Sequence, residues 1–162
     1  MKIKSKIRDY TVEFKGLLNK DYDCYIIDKN VFTLHSEKFN NLNSDKIILV
    51  NAEETNKSYT KCLHYLESLV GKGARRGNPV CAIGGGIIQD ITGFITSILY
   101  RGVDWVFYPT TLLAQCDSCI GGKTSINLGE YKNLVGNFNP PSKILIDIDY
   151  LNTLDRSEIQ SG

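Results

Sequence analysis

The chain has 162 residues, of which 42% are hydrophobic and 23% charged, a composition that builds one sizeable globular core and is short for two. Its 19 basic residues nearly balance 18 acidic ones, so no overall field gathers nucleic acid or presses the chain onto an anionic membrane, and any basic group that matters acts locally. No segment approaches the apolar length that spans a bilayer, and the basic residues 1–8 lead into no signal-peptide core, so a cytoplasmic protein is expected.

From Lys2 to Phe14 apolar and polar residues alternate, which predicts a strand pair with one wet face. Tyr25-Ile26-Ile27 predicts a short buried strand ending at Asp28, and Ile47-Ile48-Leu49-Val50 predicts another. From Ser58 the spacing changes: Cys62, Leu66, Leu69 and Val70 recur at helical intervals, with Gly71 and Gly73 as the stop. Pro79-Val80-Cys81-Ala82-Ile83 then predicts a strand that runs into Gly84-Gly85-Gly86. The helix that follows carries Ile88, Ile91, Ile95 and Ile98, widened by Ile87 and Phe94, so it is apolar over most of its circumference and belongs inside a domain. Trp105-Val106-Phe107-Tyr108, closed by Pro109, and Lys143-Ile144-Leu145-Ile146-Asp147 complete the strands, while Asp155-Arg156-Ser157-Glu158 has the form of a capping box that starts a helix.

Strands alternating with helices predict an α/β fold, a parallel sheet with helices on both faces, in which ligands bind beyond the carboxyl ends of the strands. Asp28, the triple glycine and Pro109-Thr110-Thr111 all fall there. The five cysteines are odd in number, and Cys24, Cys62 and Cys81 lie in apolar segments, so disulfides are not expected. Cys116 and Cys119 form a C-x-x-C that no second pair or nearby histidine completes as a zinc or redox site. His35 and His64 are the only histidines, and His64 reads as a packed or solvated helix position; no metal site is expected within this chain.

The triple glycine joins a strand to a helix, where bare backbone and free N–H groups suit a phosphate, although it is not the six-residue dinucleotide fingerprint. Asp90, in the first turn of that helix, by itself only complements the helix dipole. Thr110-Thr111, Asp117-Ser118 and Gly121-Gly122-Lys123-Thr124 bring glycines, hydroxyls, one acid and one lysine into a stretch without amphipathic periodicity, the make-up of a ligand-contacting loop. Gly122-Lys123-Thr124 matches the end of a P-loop, but Gln115-Cys116-Asp117 stands where the leading glycine belongs and no clear strand precedes it. Lys132, with Lys123 and Arg101, supplies charge to neutralise a phosphorylated substrate. The residues by themselves lead to an anionic small-molecule site at the edge of a parallel sheet.

Taken together, Gly84-Gly85-Gly86-Ile87-Ile88-Gln89-Asp90-Ile91-Thr92-Gly93-Phe94, Arg101-Gly102, Pro109-Thr110-Thr111-Leu112-Leu113-Ala114-Gln115, Asp117-Ser118-Cys119-Ile120-Gly121-Gly122-Lys123-Thr124 and Lys132-Asn133 resemble the 3-dehydroquinate synthases in order and spacing. The resemblance runs from about Asp28 to the last residue. It implies a Rossmann-like NAD-binding domain over residues 1–154, with 155–162 starting a helix that leads to a mostly helical, metal-binding domain missing from this chain. It also implies that Asp28, Glu54 and Lys57 hold the adenosine end of NAD, that Gly85, Gly86, Ile87, Ile88, Gln89 and Asp90 surround the diphosphate, and that Thr110, Thr111, Ser118, Leu151 and Thr153 complete the cofactor contacts. Asp117, Lys123, Lys132 and Asn133 would stand where nicotinamide and substrate meet, and Arg101 would reach the phosphate of a neighbouring subunit's substrate, which implies a homodimer.

The implied reaction converts the phosphorylated C7 sugar acid 3-deoxy-arabino-heptulosonate 7-phosphate to 3-dehydroquinate with loss of phosphate, a step of the shikimate pathway. NAD acts catalytically and zinc or cobalt serves the full-length enzyme, so these 162 residues alone are expected to be inactive. Gln89 and Tyr131 replace glycines of the family pattern, and Cys119 a small residue. The Asp117-Ser118 pair and Gly121-Gly122-Lys123 favour the dehydroquinate branch over sister sugar-phosphate cyclases. A metal-dependent alcohol or glycerol dehydrogenase relative and a non-catalytic nucleotide-binding module are the alternatives.

Overall fold

The computed structural model describes residues 1–14 and 21–161. Seven strands form one sheet: β1 (Lys2–Ile3), β2 (Tyr10–Phe14), β3 (Tyr25–Asp28), β4 (Ile47–Val50), β5 (Val80–Gly84), β6 (Trp105–Pro109) and β9 (Lys143–Ile146), in the order β1-β2-β9-β6-β5-β3-β4. All neighbours are parallel except β1 and β2, the expected strand pair, which lies antiparallel at one edge with Lys2 opposite Thr11. The chain leaves β3 towards β4 and leaves β5 in the other direction towards β6. The sheet therefore has a topological switch between β3 and β5, where a crevice opens beyond the carboxyl ends.

Side chains alternate between the two faces, as the pleat requires. Ile26, Ala82, Phe107 and Ile144 turn to the core beneath α2 (Tyr59–Gly71) and α3 (Gly86–Ile98), which contribute Cys62, Leu69, Ile88, Ile91 and Ile95. Tyr25, Ile27, Cys81, Ile83, Val106 and Tyr108 turn the other way. There they are covered by α1 (Lys29–Leu34) through Val31 and Phe32, by Phe39, and by Tyr150 of a 3-10 turn over Ile148–Thr153. Helices thus lie on both faces, but the second face is closed by six-residue α1 and short turns.

Two segments differ from the sequence reading. α1 carries no helical periodicity because none of its residues is buried; Asp28 starts it by accepting the Asn30 N–H at 2.9 Å. The polar stretch read as a loop is a π-helical turn at Ala114–Ser118 followed by an antiparallel hairpin, β7 (Lys123–Leu128) and β8 (Tyr131–Phe138). The hairpin lies on α3, which explains why that helix is apolar nearly all round: sheet covers one side and hairpin the other. Gly93 permits this approach, since a Cβ there would stand 2.4 Å from Cγ2 of Thr124. Finally, α4 (Arg156–Ser161) begins with the predicted reciprocal cap: the Glu158 N–H donates to Asp155 Oδ1 at 2.9 Å and the Asp155 N–H to Glu158 Oε2 at 3.1 Å.

Candidate functional site

The register of β5 on β6 sets Gly84 beside Pro109, and the Thr110 N–H donates to the Gly84 carbonyl at 3.0 Å, so Thr110-Thr111 stand next to the glycine turn. The fit is tight at Gly85, where a Cβ would lie 2.8 Å from Thr111 Cγ2, and open at Gly86, where a Cβ would meet nothing within 4 Å. Gly85 has no side chain to cap α3. The Gln89 N–H already bonds the Gly85 carbonyl at 3.1 Å, which leaves the N–H groups of Gly86, Ile87 and Ile88 as the unsatisfied donors of the first turn. Bare backbone, free donors and the positive helix end together suit a diphosphate.

On one side of this turn a cavity of about 360 Å³ is lined by Asp28, Asn30, Thr110, Thr111, Tyr150 and Thr153, with Glu158 at its rim. Burial pushes the Asp28 carboxyl above the usual carboxylate range, offset by the N–H groups of Asn30 and Val31. Buried His35 secures the far wall: its Nε2 lies 2.7 Å from Thr153 Oγ1, which itself donates to the Tyr150 carbonyl at 3.2 Å. Leu151 is half-buried on the same turn. Below the turn, Lys38 pairs with buried Asp147 at 2.7 Å.

On the other side a cavity of about 250 Å³ is lined by Gly86, Gln89, Asp90, Asp117, Ser118 and Lys123. The π-helical turn carries Asp117 into it. Two bonds clasp that turn to α3: Gln89 Nε2 donates to the Ser118 carbonyl at 2.7 Å, and Ser118 Oγ donates to Gln89 Oε1 at 2.9 Å. Gln115 anchors the turn from below by donating to the carbonyls of Pro109 at 3.1 Å and Asp147 at 2.9 Å.

Asp90 does more than complement the helix dipole. It pairs with buried Lys57 at 3.0 Å and accepts the Ser125 N–H at 3.0 Å. Lys57 also donates to Asn133 Oδ1 at 2.6 Å and lies 3.6 Å from Glu54. Glu54 in turn accepts from the Asn127 amide at 2.8 Å; that bond, with the charges of Lys57 and Lys132, holds its carboxyl below the usual range. Asp28 and the pair Glu54–Lys57 thus make their contacts in two separate clusters. Arg101 stands apart, at the far end of α3, a helix of 13 residues. That length puts it roughly 20 Å from the glycine turn. Arg101 is exposed, with left-handed backbone at Tyr100 (φ 50°) and at Arg101 itself (φ 63°). Lys123 and Lys132 are exposed as well.

Asn30, Ser125, Asn127 and Tyr150 were not singled out by sequence reasoning, His35 was noted only as one of two histidines, and Glu158 was read only as part of a helix cap. Asn30, two residues past a strand end, and Ser125 and Asn127, alternating along β7, were the signals available. Among the described residues no three His, Cys, Asp or Glu side chains gather as a metal centre. Burial pushes the Cys119 thiol up to about 11, far from a thiolate.

The family profile described as 3-dehydroquinate synthase N-terminal matches residues 47–161. The chain is 40% identical to the 3-dehydroquinate synthase of Alkaliphilus metalliredigens over 151 residues, 91% of this chain and 42% of the relative, so it spans about two fifths of that relative's length. Among solved structures, the 2-epi-5-epi-valiolone synthase of Streptomyces hygroscopicus, with NAD+ and Zn2+ bound, superposes with a TM-score of 0.82 at 30% identity, over 92% of this chain and 46% of that one. A 2-deoxy-scyllo-inosose synthase superposes with a TM-score of 0.84 at 25% identity over 100% of this chain and 50% of that one. A Rossmann-like sheet whose carboxyl ends carry the triple glycine, the paired threonines and the Lys57–Asp90 cluster, and whose sequence matches the family profile over most of its length, belongs to the 3-dehydroquinate synthase family, in its N-terminal domain.

Proposed function

We propose that this chain is the NAD-binding part of an enzyme that converts 3-deoxy-arabino-heptulosonate 7-phosphate to 3-dehydroquinate with loss of phosphate. The observation that carries the reading is the open backbone at Gly86, between two cavities at the β3–β5 switch. The diphosphate would lie on the Gly86, Ile87 and Ile88 N–H groups, with adenosine in the Asp28–Thr153 cavity and nicotinamide towards Asp117 and Lys123. NAD supplies transient oxidation of a substrate alcohol when bound. This chain's part is to hold the cofactor on bare backbone, to orient Asp117 through the Gln89–Ser118 clasp, and to offer Lys123 and Lys132 to anionic substrate. A divalent metal, zinc or cobalt, would be held by residues outside this chain. Arg101, away from the groove, would serve a neighbouring subunit in a homodimer.

We further propose that these 162 residues bind NAD but do not turn over, because the chain spans about two fifths of its relative's length. The test is phosphate release from the heptulosonate phosphate by a protein extended to the length of its relatives, with NAD and zinc supplied. Release with no net NADH supports the reading. Release only from another sugar phosphate moves the enzyme to a sister cyclase, and net NADH from a simple polyol moves it to the alcohol dehydrogenases.

A further inference from the structure

We propose that Asn127 is a positioning residue for the cofactor groove, holding Asn133 and Glu54 on either side of Lys57 so that the lysine meets Asp90. The proposal rests on the NAD reading above. Asn127 is buried, 8% exposed, and sits at the bulge of β7 between Ile126 and Leu128. Its backbone N–H donates to the Lys57 carbonyl at 2.7 Å. Its side chain accepts the Asn133 N–H at 2.8 Å through Oδ1, and donates through Nδ2 to Glu54 Oε1 at 2.8 Å and to the Glu54 carbonyl at 3.3 Å. One carboxamide therefore ties three segments together: the turn at residues 54–57, β7 and β8.

Its orientation is determined by its partners. Oδ1 must face the Asn133 N–H and Nδ2 must face the Glu54 carboxylate, since the flipped amide would set oxygen against oxygen and N–H against N–H. Asn133 has left-handed backbone, φ 55°, a conformation asparagine tolerates and a local bond helps to fix. In that conformation Asn133 Oδ1 receives Lys57 Nζ at 2.6 Å, and Glu54 approaches the same ammonium at 3.6 Å. Removing the Asn127 amide loosens Asn133 and Glu54 without touching Lys57 or Asp90, and leaves Asn133 Oδ1 held only by Lys57 and by Ser125 Oγ at 2.9 Å.

The experiment uses the 162-residue chain and the variants Asn127→Ser and Asn127→Asp, with Ile144→Val, a small cut in the core beneath the sheet, as a control for stability alone. NAD affinity, thermal midpoint and hydrogen exchange at the Asn133 amide are measured for each. Losing hydrogen bonds to a charged partner predicts that Asn127→Ser weakens NAD about tenfold or more and exposes the Asn133 amide to exchange. Asn127→Asp keeps the acceptor, so the Asn133 amide stays protected, but it sets a carboxylate against Glu54 and weakens NAD at least as much. Ile144→Val lowers the midpoint and leaves NAD affinity unchanged. The proposal is overturned if Asn127→Ser loses stability yet binds NAD like the parent, or if the Asn133 amide exchanges equally in both. Should the parent itself not bind NAD, the cofactor reading fails, and exchange at Asn133 alone decides the positioning claim.

Discussion

Replacing Gly86 with alanine separates a glycine kept for a ligand from glycines kept for the fold. Gly86 opens α3, has ordinary helical backbone, and a Cβ there would meet nothing within 4 Å. Alanine restricts the unfolded chain and favours the helix, so the variant is expected to gain about 0.5–1 kcal/mol. For a chain of this size that raises the thermal midpoint by roughly 1–4 °C. Gly84→Ala is the contrast, because its Cβ would stand 2.4 Å from Ile88 Cγ1 inside the core and should cost about 1–3 kcal/mol. The new methyl group at Gly86 lines the cavity shared with Asp117 and Lys123 and stands in the path of an anion approaching the first-turn N–H groups. Weakening one or two charge-assisted bonds, about 1.5–3 kcal/mol each, predicts a ten- to hundredfold or greater loss of NAD affinity. Thermal unfolding and calorimetric titration of the same sample measure both effects. Higher stability with unchanged NAD affinity would show that the diphosphate does not approach Gly86.

Asp28→Asn keeps the cap on α1 and removes a half-buried charge. Because the carboxyl is raised in the fold, its ionised form subtracts from stability at neutral pH and the penalty disappears below the usual carboxylate range. The variant is therefore expected to unfold at an equal or higher temperature at pH 7, to lose that advantage in acid, and to bind NAD about tenfold more weakly as a hydrogen bond to a charged acceptor is lost. Glu54 has the opposite sign: its carboxyl is depressed, so its contribution is present above pH 4.5 and is lost as the pH falls further, and Glu54→Gln should flatten that part of the stability profile. Gly136→Ala would set a Cβ 2.0 Å from the Thr124 carbonyl oxygen; opening the hairpin should cost about 3 kcal/mol, read as a lower denaturation midpoint.

The sheet was legible because its central strands are buried on both faces, so Tyr25-Ile26-Ile27 and Trp105-Val106-Phe107-Tyr108 stand out as apolar runs, and the edge strand Ile47-Ile48-Leu49-Val50 is as apolar in sequence although Leu49 is exposed. The glycine turn and the Asp155–Glu158 cap were legible because their chemistry is local. The hairpin was not: β8 is exposed along almost its whole length and β7 carries a bulge, so neither strand alternates cleanly. Its presence was written only indirectly, in the apolar circumference of α3. Within the site, the ligand-facing backbone at residues 84–86 was visible, whereas the Lys57 cluster joins residues separated by 33 and 76 positions and leaves no local pattern. The family resemblance pointed to Lys57, Asp90 and Asn133 one by one; their mutual contact came from the structure, as did Asn127 behind them and His35 behind Thr153 in the other cavity.

The central claim is that the groove beyond β3, β5 and β6 holds NAD, and the most direct measurement is an NMR titration of the isotopically labelled chain with NAD. Saturating shifts are expected at the amides of Gly85, Gly86, Ile87 and Ile88, with a second group at Asn30, Thr110, Thr111 and Thr153, all following one binding curve. No shifts from a folded chain, or shifts confined to residues outside this groove, would contradict the account.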